Sequence, residues 1–336
     1  MENTIRWGII GCGNVAEFKS GPPLYRTPGS ELVAVMRRDA AKAEDFARRH
    51  NVKRWYADAR ALVDDPKVNA VYIASPHYAH LEHATLAAEH HKIVLCEKPM
   101  GTSVAEAQAI VDVCKRNGVP LNVAYYRRFW YVTRAIKRLL NEDAIGHVIQ
   151  ARVQLSSLIA DYFAGDARYA WLNSRAQSGG GVLANAGSHW VDLIRFFLGE
   201  VTDVMGYCSS QASGFEIEDT VNAQMRMRDG ALVSLLLTFV SPASINEFDI
   251  LGTEGRILGG PLAEGFWKLE RRGKNPELVN FPYSGTAHSD FITELIPSLL
   301  SKQPALIPGE EAVAAWKIME AIYRSCELGT RISIEQ

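Results

Sequence analysis

Short apolar runs alternate with amphipathic segments along the first third of the chain. Five runs have the length and composition of buried strands, at residues 5–10, 32–36, 70–74, 93–96 and 119–124. The helix-forming segments between them cover residues 40–49, 83–89 and 103–116. Ser103, with Glu106 three residues later, has the pattern of a capping box at the start of the last helix. Strands that alternate with helices predict βαβ units and a parallel sheet.

After about residue 145 the pattern changes to alternating apolar and polar positions. The strands that it predicts lie at residues 148–158, 204–209, 220–227 and 231–239. Asp229 and Gly230 form a two-residue hairpin signal between the last two. Consecutive strands joined by turns predict an antiparallel sheet, with a helix at 189–198 against it and a final helix at 310–328. We therefore expect a change of domain near residue 125.

Composition places the chain among globular proteins with two domains. Its 336 residues suffice for two domains of about 150 residues each. Hydrophobic residues make up 47% and charged residues 22%, and the formal net charge is -2. A chain so close to neutral has no electrostatic footprint for nucleic acid or for an anionic membrane surface, so we expect neither partner.

The cysteines indicate a reducing compartment. They are scattered, without a C-x-x-C pair, at Cys12, Cys96, Cys114, Cys208 and Cys326. An odd and dispersed set argues against a disulfide framework and against a zinc site. No basic, apolar leader precedes the first strand, and no apolar run approaches the roughly 18 residues of a membrane span. We therefore expect a cytoplasmic protein.

The turn after the first strand is glycine-rich. It contains Gly11, Cys12, Gly13, Asn14, Val15 and Ala16, a match to G-x-G-x-x-A between a strand and a helix. Gly11 permits the tight turn, Gly13 lets a pyrophosphate approach the backbone, and Ala16 allows close packing of helix and strand. The N-terminus of the following helix favours negative charge. This loop predicts a dinucleotide site.

The end of the second strand indicates which dinucleotide is preferred. Arg37 and Arg38 stand where an acidic residue would hold the ribose 2′-hydroxyl of NAD. Arginine suits a 2′-phosphate through paired hydrogen bonds, so NADP(H) is favoured. NAD(H) is possible, because Asp39 lies only two positions late. In the alternative interpretation both arginines are solvated, and Arg38 only stacks on adenine.

Two further segments carry candidate chemistry. Lys98, between Glu97 and Pro99, closes the fourth strand, where open α/β sheets bind ligands, and can stabilise charge on a reacting hydroxyl. The alternative there is a surface Glu–Lys pair. Three glycines at 179–181 precede Asn185, His189 and Asp192, whose i, i+4, i+7 spacing puts them on one helix face. His189 is then a general acid/base candidate or a satisfied core histidine.

The histidines around the third strand also have a metal-like spacing. His77, His80 and His83 recur every third residue, but Glu82 faces elsewhere on a helix and no other local partner has suitable spacing. We therefore predict no metal site.

Together these motifs resemble the glucose–fructose oxidoreductase / inositol dehydrogenase (Gfo/Idh/MocA) family. The resemblance covers essentially the whole chain and includes Gly11–Ala16, Ser75-Pro76-His77 with His80, Glu97-Lys98-Pro99, residues 124–129, residues 179–192 and a closing helix followed by residues 331–334. It implies a Rossmann dinucleotide-binding domain at 1–124. It also implies an α+β domain at 125–336, with a large, mostly antiparallel open sheet for substrate binding and for homodimer or homotetramer contacts.

The resemblance also implies roles for individual residues. Lys98 and His189 would be catalytic, and Asp192 would bind a substrate hydroxyl. The cofactor-lining positions would be Ser75, Pro76, His80, Glu97 and Arg128, and to the cofactor site we add His77 and Lys98. In the substrate site we add Lys98, His189 and Asn185 from their segments, and Tyr126 as an aromatic residue able to wall a sugar. The long loop-like stretch before the glycines contains Tyr162, Arg168, Trp171 and Arg175, and we expect some of these residues, Trp171 among them, at the substrate mouth. Asn185 departs from the family, which usually has an aspartate there, and an amide cannot raise the basicity of His189 as a carboxylate would.

The function that follows is hydride transfer between nicotinamide C4 and a hydroxyl or carbonyl carbon of a sugar, glycoside or polyol. One alternative is an enzyme that holds NAD(H) tightly and oxidises only transiently, as in redox-neutral glycoside cleavage or sugar–sugar oxidoreduction. A second is a dinucleotide- or sugar-sensing regulator that catalyses nothing. The pairing of Lys98 with His189 favours an enzyme, since a sensor needs neither.

Overall fold

The computed structural model describes residues 4–158, 167–210, 214–281 and 287–334. Its strands are β1 (Ile5–Ile10), β2 (Ser30–Met36), β3 (Arg54–Tyr56), β4 (Ala70–Ile73), β5 (Ile93–Cys96), β6 (Leu121–Val123), β7 (Val148–Leu158), β8 (Val201–Ser209), β9 (Thr220–Met227), β10 (Leu232–Thr238), β11 (Val240–Gly252), β12 (Gly255–Gly259), β13 (Phe266–Arg271), β14 (Glu277–Asn280) and β15 (Ile332–Ser333).

The helices follow the same chain order. They are α1 (Gly21–Arg26), α2 (Ala40–Arg49), α3 (Ala59–Asp64), α4 (His80–Glu89), α5 (Val104–Arg116), α6 (Tyr131–Asn141), α7 (Arg175–Ser178), α8 (Ser188–Leu198), α9 (Ser289–Leu300) and α10 (Gly309–Leu328). Tight 3₁₀ turns cover His77–Ala79, Tyr126–Phe129, Ala167–Asn173 and Leu262–Glu264, and wider π-helical turns cover Ala16–Ser20 and Leu183–Gly187.

The first sheet is parallel and confirms the predicted βαβ pattern. In the described part of the chain its strands run in the order β3-β2-β1-β4-β5-β6. All of β4 and most of β1 and β5 are buried, which is why they are continuous apolar runs instead of alternating ones. The order reverses between β1 and β4, and the carboxyl ends of these two strands flank the crevice where such sheets bind ligands. The short edge strand β3 was not predicted.

The N-terminus of α5 has the predicted Ser103 cap, but the Glu106 side chain bonds a different backbone N–H from the one predicted. The Ser103 hydroxyl accepts a hydrogen bond from the Glu106 backbone N–H at 3.2 Å. The Glu106 carboxylate accepts from the backbone N–H of Thr102 at 2.8 Å, one residue before the position that a capping box predicts. The helix therefore begins where the sequence indicates.

The chain divides into two compact units, which are Met1–Arg127 with Gly285–Ala314, and Arg128–Ser284 with Ala315–Gln336. This differs from two continuous domains at 1–124 and 125–336, because a late segment returns to the first unit. There the Val123 N–H donates to Ile307 O at 3.0 Å, and the Ile307 N–H donates to the Asn122 side chain at 3.2 Å. Isolated bonds of this kind leave no periodic pattern in a sequence. The functional roles of the two predicted domains stay predictions.

The second sheet is mostly antiparallel, as predicted. Among the described residues its strands run in the order β14-β13-β12-β11-β7-β10-β9-β8-β15, and only β7 and β10 pair in parallel. The predicted hairpin joins β9 to β10, with Gly230 at φ 98° and a bond from Met227 N–H to Ala231 O at 2.9 Å. Helix α8 covers one face, where the Trp190 ring lies 6.2 Å from that of Phe248.

The last helix packs on β8 and carries one end of a disulfide. The Gly206 N–H donates to the Ser325 hydroxyl at 3.0 Å, and Cys208 is bonded to Cys326, 118 residues later in the chain. The expectation of cysteines without a disulfide is wrong for this pair, because the spacing of two cysteines so far apart says nothing about their approach until β8 and α10 pack.

The described helices include none long and apolar enough to cross a membrane. The same residues contain no group of three or more His, Cys, Asp or Glu side chains that could hold a metal ion. The predicted cytoplasmic location stays a prediction.

Candidate active site

The glycine loop leaves β1 in a conformation that only glycine adopts easily. Gly11 has φ 94°, and a Cβ added there would lie 2.6 Å from Ser75 N and 2.7 Å from the Ala74 carbonyl. The loop is fixed by hydrogen bonds from the N–H groups of Gly11 and Cys12 to Met36 O, at 3.0 and 3.1 Å. Close passage of the β1 and β4 ends thus requires glycine at this position.

Gly13 has the opposite surroundings, because its side-chain position is open. A Cβ built there would find only Gly11 O, 4.0 Å away, and Asn14 and Val15 beyond it are exposed. Helix begins at Asn14, and the first turn of a helix presents N–H groups without intrahelical acceptors. An open backbone cradle at a helix N-terminus fits the pyrophosphate of a dinucleotide. Cys12 is buried, and burial raises the pKa of its thiol to about 11.

The residues that follow β2 are two arginines and an aspartate that caps the next helix. Arg37 is half-buried and Arg38 exposed. The Asp39 carboxylate caps α2 by accepting from the Lys42 N–H at 3.2 Å, and it also pairs with the Lys42 ammonium at 2.9 Å. Asp39 is therefore engaged within its own helix.

The predicted cofactor-lining histidine His80 joins the ends of two strands. Its Nδ1 accepts from the Gly101 N–H at 3.3 Å and lies 3.1 Å from Pro99 O, and its Nε2 lies 2.9 Å from Ser75 O. Burial lowers the pKa of His80 to about 4, so the ring is neutral, and Nε2 carries the proton that it donates to Ser75. The Ser75 hydroxyl itself lies 2.9 Å from the Nδ1 of His83. Three predicted residues, Ser75, Pro76 and His77, follow β4 directly and are half-buried.

Glu97, at the end of β5, is buried and fully surrounded by donors. Its Oε1 accepts from the Tyr72 hydroxyl at 2.5 Å and from His288 Nε2 at 2.9 Å, and its Oε2 accepts from the Lys98 N–H at 3.1 Å. Burial by itself would raise the pKa of this carboxyl. The charge and hydrogen bond of His288, the Tyr72 hydroxyl and the Lys98 ammonium outweigh it and lower the pKa to about 2.

Lys98 follows in the predicted position, in a cis peptide with Pro99. Burial lowers the pKa of its ammonium to about 8. Glu97 opposes this change, while Arg127 and Lys19 add to it. A lysine that titrates near neutral pH can exchange a proton with a hydroxyl group.

Tyr126 is buried against His288, with ring centroids 4.0 Å apart, and burial raises the pKa of its hydroxyl. The sequence assigned this tyrosine to the substrate site. The structure places it in the first unit, on the histidine that donates to Glu97.

In the second unit a buried carboxylate holds the triple glycine. Glu218 accepts from the N–H groups of Gly181 and Leu183 at 2.8 and 3.0 Å, and from the Tyr323 hydroxyl at 2.9 Å. A Cβ on Gly181 would lie 1.8 Å from Glu218 O, and one on Gly180 would lie 2.0 Å from the Tyr323 oxygen. Glycine is required here for close packing, as the sequence indicated.

The predicted helix face after these glycines is interrupted. Asn185 lies in the π-helical turn Leu183–Gly187, and α8 begins only at Ser188. Because a π turn is wider than an α turn, the i, i+4, i+7 argument for one shared face fails between Asn185 and His189. It holds for His189 and Asp192, which are both in α8 and both buried.

Arg128 and Asp192 were predicted to contact cofactor and substrate respectively, and the structure joins them to each other. Arg128 Nε lies 3.0 Å from both carboxylate oxygens, and its Nη2 lies 2.6 Å from Oδ1. The guanidinium also sits 5.3 Å above the Phe196 ring. Side-chain exposure is 13% for Arg128 and 1% for Asp192, so this is a buried, paired charge.

The long segment before the glycines is only partly described. Trp171 is half-buried in the turn Ala167–Asn173. Arg175, which the sequence also placed near the substrate, sits 4.6 Å above the Tyr323 ring and pairs with Glu327 at 3.8 Å. The suggested substrate contact of Tyr162 lies outside the described residues.

Two residues that shape these sites were missed by the sequence analysis. His288 belongs to a segment without a clear period, and Glu218 lies just before a strand, where a carboxylate is ordinarily solvated. A buried acid beside glycine-rich sequence is visible only once the backbone folds over it.

The comparisons with known proteins agree with this architecture. Residues 5–125 match the model of the "Oxidoreductase family, NAD-binding Rossmann fold", and residues 133–258 match the "GFO/IDH/MocA C-terminal domain". The chain is 39% identical to Oxidoreductase P35 of Formosa agariphila over 76% of this chain and 79% of that protein. It is 29% identical to 1,5-anhydro-D-fructose reductase of Ensifer adhaerens over 76% of this chain and 75% of that protein.

Solved structures share the fold. A levoglucosan dehydrogenase in complex with NADH and levoglucosan superimposes with a TM-score of 0.89 at 21% identity, over 99% of this chain and 100% of that one. The aldose–aldose oxidoreductase of Caulobacter crescentus with glycerol gives 0.88 at 24% identity, over 98% and 99%. The prediction of a nicotinamide-dependent enzyme of this class is confirmed. The chain belongs to the Gfo/Idh/MocA family of oxidoreductases, with an NAD-binding Rossmann domain.

Proposed function

We propose that the substrate is a sugar, glycoside or polyol, oxidised or reduced at a single carbon. Relatives whose names state a sugar support this, namely the 1,5-anhydro-D-fructose reductase and the levoglucosan dehydrogenase. The cofactor is a nicotinamide dinucleotide, which supplies a hydride acceptor or donor at C4 of its ring. The glycine loop Gly11–Ala16 would hold its pyrophosphate, with the β4 and β5 ends alongside the loop.

The observation that carries the proposal is the environment of Lys98. It lies two residues beyond β5, at the carboxyl end of the sheet where ligands bind, and its pKa is lowered to about 8. In its ammonium form it can donate to a carbonyl oxygen, and in its amine form it can accept a hydroxyl proton. Lys98 is therefore our catalytic residue for proton transfer.

In the second unit we propose His189 as a further proton-exchanging residue and Asp192 as a group that binds a substrate hydroxyl. Arg128 holds the Asp192 carboxylate in one orientation through two donors, so it would act on substrate through Asp192. Asn185, half-buried in the π turn, can offer an amide to the substrate but no base to His189.

We further propose a preference for NADP(H). Arg37 and Arg38 follow β2, whereas Asp39, the acid that could hold a 2′-hydroxyl, is already the cap of α2. Titration calorimetry with NADP⁺ and NAD⁺, on protein first checked for copurified cofactor, tests this. Tighter binding of NAD⁺ would refute it. Cofactor that copurifies and resists exchange would instead support the transient-oxidation alternative.

The catalytic proposal is tested by turnover of a panel of aldoses, anhydrosugars and polyols, followed by nicotinamide absorbance. Lys98→Met should reduce kcat by roughly 10²–10⁴-fold and leave cofactor affinity within a few-fold. The control is Lys115→Met, an exposed lysine of α5 that pairs with Glu310 at 2.6 Å. Full turnover by the Lys98 variant would overturn the assignment.

We also propose that the open face of the second sheet joins copies of this chain as a homodimer or homotetramer. Met205, Tyr207 and Leu232 project from this face and are 39%, 69% and 50% exposed. Light scattering at graded concentrations tests this, with a monomer throughout as the contrary result.

A further inference from the structure

Behind Lys98 lies a buried network that the proposed chemistry does not yet use. It brings together Tyr72 from β4, Glu97 from the end of β5, and His288, which precedes α9 and is 191 residues away from Glu97 in the chain. His288 is 0% exposed, and its ring is covered by Tyr126 at a centroid distance of 4.0 Å. All of these residues belong to the first unit.

Hydrogen bonds to both carboxylate oxygens fix the orientation of Glu97. Two side-chain groups donate to Oε1, and the backbone N–H of Lys98 donates to Oε2. A buried carboxylate is costly unless hydrogen-bond donors surround it, and here the Tyr72 hydroxyl, His288 Nε2 and the Lys98 backbone N–H supply them. Glu97 is thereby held as an anion next to the lysine.

We propose that His288 and Tyr72 are positioning residues that hold the Glu97 carboxylate beside Lys98. The carboxylate in turn stabilises the ammonium form of this lysine in its desolvated surroundings. The inference rests on the proposed role of Lys98, and it extends that role to a residue near the opposite end of the chain. Without the anion, burial and the nearby positive charges of Arg127 and Lys19 would all favour the neutral amine.

Removing His288 should therefore act on Lys98 through Glu97. In His288→Leu the carboxylate loses one of the two side-chain donors to Oε1 and takes up a proton more readily, so Lys98 loses its attraction and deprotonates at lower pH. His288→Gln retains a side-chain donor at this position and should give a smaller change of the same sign. Tyr72→Phe removes the second donor from Oε1 and should act in the same direction.

The experiment measures Lys98 directly and needs neither substrate nor bound cofactor. Competitive labelling with acetic anhydride across a range of pH, read by peptide mass spectrometry, gives the midpoint at which Lys98 becomes reactive. We expect the midpoint to fall by about one pH unit in His288→Leu. In the Glu97→Gln background the same substitution should produce no further shift, because the group through which it acts is gone.

A matched control is His90→Gln, since His90 also pairs with a carboxylate, that of Asp64 at 3.0 Å, on a distant helix end. It should leave the Lys98 midpoint unchanged. An unmoved midpoint in a folded His288→Leu protein, or a full second shift in the Glu97→Gln background, would overturn the inference. If His288→Leu does not fold, the Lys98 midpoints of His288→Gln and Tyr72→Phe test the inference instead, and unmoved midpoints in both would overturn it. If labelling shifts as expected but Lys98→Met retains turnover, only the catalytic proposal fails.

Discussion

Replacing Arg128 with methionine removes the guanidinium that holds Asp192 in the second unit. Methionine keeps most of the apolar volume of the side chain, so the change is mainly one of charge and hydrogen bonds. Three contacts of 2.6–3.0 Å are lost, together with the stacking of the guanidinium 5.3 Å above Phe196. The Asp192 carboxylate, 1% exposed, stays buried and loses these bonds to the guanidinium.

The size of the effect follows from burial. Removing one partner of a buried ion pair costs about 3–5 kcal/mol, whereas removing one partner of an exposed pair costs about 1 kcal/mol or less. For a unit of this size each kcal/mol lowers Tm by roughly 2–4 °C, so Arg128→Met should lower the unfolding midpoint of the second unit by about 6–20 °C. Arg272→Met is the control, because Arg272 pairs with Glu254 at 3.5 Å in the same unit and their side chains are 77% and 53% exposed.

Calorimetric unfolding of Arg128→Met, Asp192→Asn and the double variant isolates the pair. Since the cost arises from the interaction between the two buried charges, removing both should cost less than the sum of the single losses, by at least about 1 kcal/mol. Single losses that add within about 0.5 kcal/mol would refute the reasoning. Cofactor affinity in Arg128→Met also tests the cofactor-lining role that the family resemblance implies: unchanged affinity would leave Arg128 acting on Asp192 alone.

Two further predictions concern the first unit. Gly11→Ala should destabilise the protein, since its Cβ would lie 2.6 Å from Ser75 N in a residue at φ 94°. Gly13→Ala, with only open space around its Cβ, should leave Tm unchanged and weaken cofactor binding about tenfold or more. Thermal melts and calorimetry that find the same loss of Tm and of cofactor affinity in both variants would contradict this. Burial lowers the pKa of His80 from 6.5 to about 4, so as the pH falls the unfolded chain binds this proton before the folded protein does. The free energy of unfolding should therefore fall by roughly 3 kcal/mol between pH 6.5 and pH 4. In urea titrations at several pH values, His80→Gln should lose this part of the pH dependence, and an unchanged pH dependence would refute the lowered pKa.

The periodic elements could be predicted because their cause is local. Strands β1, β4 and β5 are apolar along their length since helices cover both faces of a parallel sheet, and β9 alternates because one face is covered and the other open. The glycine loop was readable for the same reason, since a turn at φ 94° admits few residues other than Gly11.

Features made by long-range contact could not be read in this way. The Cys208–Cys326 bond joins residues 118 apart, and the partnership of Arg128 with Asp192 spans 64 positions. The π turn at Leu183–Gly187 also broke the phase between Asn185 and His189, which a constant helical period had assumed.

By itself, then, the sequence determined the fold class, the dinucleotide loop, the family and the identity of Lys98 as the lysine at a strand end. Only the tertiary structure decided which groups surround that lysine. In the sequence, Glu97 is only an acidic residue next to a lysine. In the folded protein it is a buried anion, because Tyr72 and His288 both donate to one of its oxygens. Local patterns record the periodic exposure of a backbone, whereas the charge state of a buried group depends on neighbours that the chain brings together only by folding.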